Sequence, residues 1–187
     1  MKKQDVSGLF TGAMMVLAVI YISIIMTKDV MGADAPVGDC NTAIALAEQS
    51  HGLPQGLLMA IARTESGKWN KATGRAEPHA WAINNAGDNY YPSTWQESYA
   101  IINKLRKRGE TNIDIGCMQI NWRWHSQKFD NIKHMMDAYA SADYAARFLA
   151  RLKQRHKTWK KAIACYHNCR EEHKQARYLN AVLSNIW

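Results

Sequence analysis

The sequence has no internal repeat and no low-complexity tract across its 187 residues, which excludes solenoids and polar disordered arrays. Acidic residues are few. Sixteen Asp and Glu face 24 Lys and Arg, for a formal net charge of +8 and a pI near 9.4. That imbalance points to an anionic partner: nucleic acid, acidic lipid or a carboxylate-rich cell wall. Cysteine is scarce, at four positions (Cys40, Cys117, Cys165 and Cys169). Cys165, Cys169 and His173, with His167 between them, would share one helix face, as a metal site requires. The spacing fits no zinc module and exported cysteines usually pair, so no metal and no cofactor is expected. Two disulfides are expected instead, with all three connectivities open. The length allows one domain plus a short appendage. Phe is rare at three, whereas seven Trp and eight Tyr are many. Such rings suit a core, and equally a carbohydrate groove in which flat rings stack on sugar faces.

One long apolar run is present. It covers residues 9–26, follows Lys2 and Lys3, and is closed by Lys28 and Asp29. Residues 1–33 therefore read as an export signal or membrane anchor with its linker, and residues 34–187 as the domain. Ala33-Asp34-Ala35 resembles a cleavage site, but Pro36 follows it, which tilts the reading towards an uncleaved anchor. Either route puts the domain outside the cytoplasm, in the periplasm or cell envelope, with membrane contact at its N-terminus. Nucleic acid drops out as a partner.

Along the domain, Asp39 or Asn41 caps a first helix that runs to about Ser50, with Ile44, Leu46 and Ala47 inward. Pro54 opens a second helix that ends at Glu65 or Ser66. Residues 67–92 lose helical periodicity, and strands are expected at 79–83 and 89–91. An irregular stretch of this length is usually functional, so Trp69, Trp81, Tyr90 and Tyr91 are candidate groove walls. The same rings would equally serve to pin the insert to the body. Ser93 and Gln96 read as a capping box for a helix over 94–108. A short strand over 111–115 and helices over 137–156, from 158, and over 171–184 complete a mainly α domain.

Glu65 is the candidate acid. Leu58, Ile61 and Ala62 recur at helical spacing, and Glu65 falls four residues after Ile61. Its carboxyl therefore lies on the apolar face, near a helix end set by Ser66-Gly67, since Gly is the usual residue just past a helix. Desolvation there raises a carboxyl pKa and suits a general acid. A structural Glu paired with Lys or Arg is the plainer alternative.

Four motifs follow in order: Glu65-Ser66, then Gly116-x-Met118-Gln119, then Tyr166 with Ala164 and His167 nearby, then Tyr178. With these, the chain resembles a soluble lytic transglycosylase (SLT) domain of the goose-lysozyme-like superfamily, of the small single-domain envelope type. The likeness spans roughly residues 40–182. It implies a lysozyme-like helical fold with at most a small β-hairpin insert, preceded by an N-terminal hydrophobic helix. It also implies cleavage between N-acetylmuramic acid and N-acetylglucosamine in peptidoglycan strands, with a 1,6-anhydro product. Glu65 would be the catalytic residue. Ser66 and Gln119 would bind sugar, Met118 would line the groove, and Tyr166 would hold the Glu65 carboxyl. His167 and Tyr178 complete the substrate-binding set. A secretion, pilus or flagellar assembly would be the partner machine. The chain departs from the family pattern at Cys117, where Leu is commoner and for which Cys40 is one available mate. It departs again at His167, where Asn is usual, and at Cys169, where a Gly is expected. Two rival readings stand beside this one. A lysozyme-type hydrolase would use Asp114, or failing that Asp88, as a second carboxylate. A non-catalytic envelope protein would bind glycan without cutting it.

The positive charge predicts that binding to intact cell wall weakens as salt rises. Sedimentation with purified wall at increasing NaCl tests this, and a flat response would refute it.

Overall fold

Helix α1 (Cys40–Ser50) starts where expected, with Asp39 Oδ1 accepting from the Thr42 N–H at 3.0 Å. Its buried face is Cys40, Ala43, Ile44, Ala47 and Glu48, whereas Leu46 points outward, 47% exposed. Leu46 loses its expected core place because the face that packs on the other helices runs through positions 40, 43, 44 and 47. The structure is a computed structural model that describes residues 35–186. The expected N-terminal hydrophobic helix lies outside the described residues. Among those described, no helix is long and apolar enough to cross a membrane.

Helix α2 (Leu57–Ser66) begins at Gly56, whose φ of +79° suits a residue without a Cβ. No side chain of its own caps it. The cap comes from α1 instead: the buried Glu48 carboxylate accepts from the N–H groups of Gly56, Leu58 and Met59 at 2.9, 2.6 and 3.1 Å. The negative charge also meets the positive end of the helix dipole. The helix ends at Ser66-Gly67 as expected, with Gly67 at φ −59°, outside the left-handed region that a glycine there usually adopts. Glycine is required there for space, because a Cβ would run into the Arg63 carbonyl oxygen.

After α2 the chain forms more β structure than the single hairpin expected. Strands β1 (Gly67–Asn70) and β2 (Arg75–Pro78) make one antiparallel pair. Strands β3 (Ile83–Asn85), β4 (Asp88–Tyr90), β5 (Ile113–Ile115) and β6 (Ile120–Asn121) make an antiparallel sheet in the order β4-β3-β5-β6. The β3–β5 register pairs Ile83 with Ile115 and Asn85 with Ile113. This partnership bridges the whole of helix α3 (Trp95–Lys107), so local alternation could not reveal it. Helix α3 starts one residue later than the Ser93–Gln96 box predicts. Thr94 Oγ1 accepts from the Glu97 N–H at 3.3 Å, and Glu97 reaches back to the Ser93 N–H at 2.9 Å.

Two short helices, α4 (Trp122–His125) and α5 (Ile132–Met136), lead into α6 (Ala138–His156). Asp137 caps α6 through the N–H groups of Tyr139 and Ala140, and its other oxygen accepts from the Val37 N–H at 2.8 Å. Helix α6 packs on α1 and on α7 (Trp159–His167), and α7 packs on α8 (Glu172–Ser184). Helix α8 returns to pack on α2. The cysteines pair as Cys40–Cys117 and Cys165–Cys169. The result is a mostly helical domain with small β-sheets.

Replacing Glu48 by Ala strands three N–H groups at a buried helix start. We expect a loss of about 2–3 kcal/mol, with Glu48→Gln restoring part of it. Urea unfolding monitored by circular dichroism tests this, and an unshifted midpoint in the Ala variant would exclude the capping role.

Candidate active site

Glu65 sits in the last turn of α2, partly exposed at the floor of a groove. The Tyr178 hydroxyl, brought across by α8, donates to Glu65 Oε1 at 2.5 Å. Burial pushes the Glu65 pKa from its ordinary 4.5 up to about 7. The Tyr178 bond opposes that rise and the nearby Asp114 charge adds to it. Tyr166, expected to hold the carboxyl, instead donates to the Met118 carbonyl at 3.3 Å. Its helix brings it beside Glu65, but its hydroxyl points to the loop after β5.

Asp114 reaches the same groove by strand alternation. Ile113 and Ile115 are fully buried, so Asp114 between them faces the opposite side. Its pairing partner Asn121 donates from Nδ2 to Asp114 Oδ1 at 2.8 Å and to Asn112 Oδ1 at 2.9 Å. Burial raises the Asp114 pKa, while the Asn121 bond and the His167 charge hold it down. Asp88 lies in β4 and does not line the groove.

Residues 116–119 form a tight turn that is held at each position. Gly116 (φ +77°) donates from its N–H to the Ala82 carbonyl at 2.8 Å. Cys117 is bonded to Cys40. The Met118 carbonyl takes the Tyr166 hydroxyl. Gln119 holds a left-handed φ of +45°, uncommon for a residue with a side chain. Its amide nitrogen donates to the Gly116 and Ala82 carbonyls at 2.9 and 3.3 Å. Of the expected sugar-binding residues, Gln119 lines the groove and Ser66 does not. Ser66 is 1% exposed. Its hydroxyl donates to the Cys117 carbonyl at 2.7 Å and accepts from the His79 N–H at 3.2 Å. It is a bracket between α2, the turn and the stretch after β2. Met118 is fully buried beneath the groove rather than along it.

The groove has a volume of about 440 Å³. Beside Glu65, Asp114 and Gln119, its walls include Trp124, His125, Tyr144, Phe148, Tyr166 and His167. His167 stacks on Tyr178, with ring centroids 4.9 Å apart and planes at 12°. The Tyr144 hydroxyl bonds His125 Nδ1 at 2.8 Å. Phe148 is only partly buried, because its ring forms wall rather than filling. None of the rings proposed as walls from residues 67–92 lines the groove. Trp81 covers Gly38, where a Cβ would come within 2.6 Å of its ring, and Trp69 is 65% exposed. The walls not expected from the sequence include Asn112, His125, Tyr144 and Phe148. Their signal was present, since Tyr144 and Phe148 are one helical turn apart on α6, but it equally fits core.

Cys165 and Cys169 close the end of α7 just behind Tyr166, His167 and Asn168. His156 Nε2 lies 3.5 Å from Cys169 Sγ. These three are the one His, Cys, Asp or Glu group among the described residues close enough to share an ion. With both sulfurs in a disulfide there is no thiolate to ligate one. His173, proposed from spacing, stands apart from this group, 3.9 Å from Glu171 Oε2.

Compared with known families, the chain matches the Transglycosylase SLT domain over residues 42–182. Searches of curated proteins and of solved structures give no match.

A Glu with a folded pKa of about 7 against an ordinary 4.5 binds more protons folded than unfolded between those values. Its contribution to stability is therefore complete below about pH 4.5 and is lost as pH rises towards 7. We expect Glu65→Gln to flatten that fall in stability. Tyr178→Phe, which removes a bond to the carboxylate, should raise the Glu65 pKa further. A carboxyl-carbon NMR titration of Glu65 reads both, and an ordinary Glu value would refute the desolvated acid.

Proposed function

We infer that this chain, which belongs to the transglycosylase SLT family, is a peptidoglycan lytic transglycosylase with Glu65 as its acid and base. Family membership implies lytic-transglycosylase-like action on peptidoglycan. The finer reading rests on one observation: a carboxyl at the groove floor, oriented by Tyr178, with its pKa pushed up to about 7. Such a group holds a proton to give and, once ionised, is basic enough to take one back.

In the proposed cycle, protonated Glu65 donates to the oxygen linking N-acetylmuramic acid to N-acetylglucosamine. The bond from muramic C1 to that oxygen breaks. The muramic N-acetyl oxygen stabilises the positive charge that develops at C1. Ionised Glu65 then removes the proton of the muramic 6-hydroxyl, whose oxygen bonds to C1. The product is a 1,6-anhydro sugar, no water is consumed, and Glu65 ends protonated as it began. Tyr178 keeps Oε1 in place through both transfers. Gln119 and the ring walls position the sugars, and His167 stacked on Tyr178 restricts that ring's freedom.

The two disulfides support a working place outside the cytoplasm, in the periplasm or cell envelope, where a secretion, pilus or flagellar assembly needs the wall opened. Asp114 favours one second reading. It lines the groove with Glu65, so a lysozyme-type hydrolysis, with Asp114 as the second carboxylate, has its residues available.

Digestion of purified peptidoglycan, with products weighed by mass spectrometry, separates the two. We expect anhydro muropeptides about one water lighter than lysozyme products. Glu65→Gln should lower their formation about 10³-fold while leaving glycan binding in place. Free reducing ends that vanish in Asp114→Asn would establish the hydrolase instead.

A further inference from the structure

Phe148 has a second neighbourhood. Beside the groove lies a smaller pocket of about 110 Å³, lined by Phe148, Arg151, Leu152 and Arg155. Phe148 belongs to both linings, so the two spaces adjoin. Arg151 and Arg155 are exposed and one turn apart on α6. The preceding arginine on that stripe, Arg147, is occupied by Asp143 at 2.7 Å, but no ion pair among the described residues engages Arg151 or Arg155. None is close in sequence either, since no Asp or Glu occurs between Asp143 and Glu171. The helix dipole accounts for Arg155, which falls in the last turn of α6 with Lys153 and His156. It does not account for Arg151, which precedes that turn. Arg151 also faces the groove wall: its guanidinium lies 5.9 Å from the Phe148 ring centroid, hydrogen-bonds the Tyr144 side chain and places its charge near His125, which leaves its remaining N–H groups for an anion.

We propose that Arg151 and Arg155 form an anion subsite beside the groove, which takes a carboxylate of the peptide stem carried by a peptidoglycan strand lying in it. This rests on the peptidoglycan reading above. The pocket holds a few water volumes, enough for a carboxylate and too little for a sugar ring. Two guanidinium forks on one helix face match the bidentate geometry of carboxylates. A glycan stripped of its stems by an amidase keeps one lactyl carboxylate on each muramic acid, held against the sugar, whereas the stems carry several further out.

The test uses the Glu65→Gln chain, which binds without cutting, and compares intact peptidoglycan with the same material stripped of stems by an amidase. We expect about tenfold tighter binding to the intact polymer, or 1.4 kcal/mol, falling to near parity in Arg151→Ala/Arg155→Ala. The Arg151→Lys/Arg155→Lys pair should keep part of the preference, because charge remains and the fork is lost. Circular dichroism checks that each variant is folded. A preference that survives the Ala pair, or a parent chain with no preference, overturns the subsite. Digestion of both materials by the unmutated chain runs alongside. Absence of products there counts against the catalytic reading, while the binding ratio still decides the subsite.

Discussion

Three N–H groups at the start of α2 converge on one buried carboxylate, that of Glu48 on α1. The placement of Glu65 follows from this contact. A helix is a stiff rod at this length, so fixing its first turn fixes where its last turn ends. Glycine then lets the chain leave α2 past the Arg63 carbonyl without a Cβ in the way. Glu65 therefore stands at the end of a helix whose start is set by a tertiary contact and whose end is set by the helix's own last turn.

Around that end the groove is assembled from distant parts, each with a separate means of support. Tyr178 arrives on α8 and Asp114 on a strand whose isoleucines anchor it in the core. The 116–119 turn is clamped by a disulfide, a buried serine hydroxyl and a tyrosine hydroxyl. These supports divide the family motifs into two kinds. Glu65 and Gln119 present atoms to the groove. Ser66 and Met118 spend theirs on holding the turn and the helix together. Rigid support of this kind fixes the distance from the Glu65 carboxyl to whatever lies in the groove.

Much of the helical plan was legible. The apolar spacing around Glu65, the Asp39 cap and the helices over 138–156 and 172–184 all rest on rules that act within a turn or two of chain. The apolar face also foretold the raised pKa, since desolvation follows from which side of the helix packs inward. Where reading failed, the deciding partner was far away. Leu46 is exposed because α1 meets its neighbours along another stripe. The second sheet needs β3 to find β5 across a helix. Aromatic residues gave no guidance about walls, since Trp81 and Tyr144 look alike in sequence and differ only in what comes to lie opposite them.

The sequence by itself determined the longer helices, the apolar setting of Glu65 and the motif order that marks the family, because periodicity, caps and motifs are properties of neighbours along the chain. Tertiary structure decided which tyrosine holds Glu65, which cysteines pair, and which rings face the groove. Those choices depend on distances between segments up to 113 residues apart, and such distances exist only once the helices have packed.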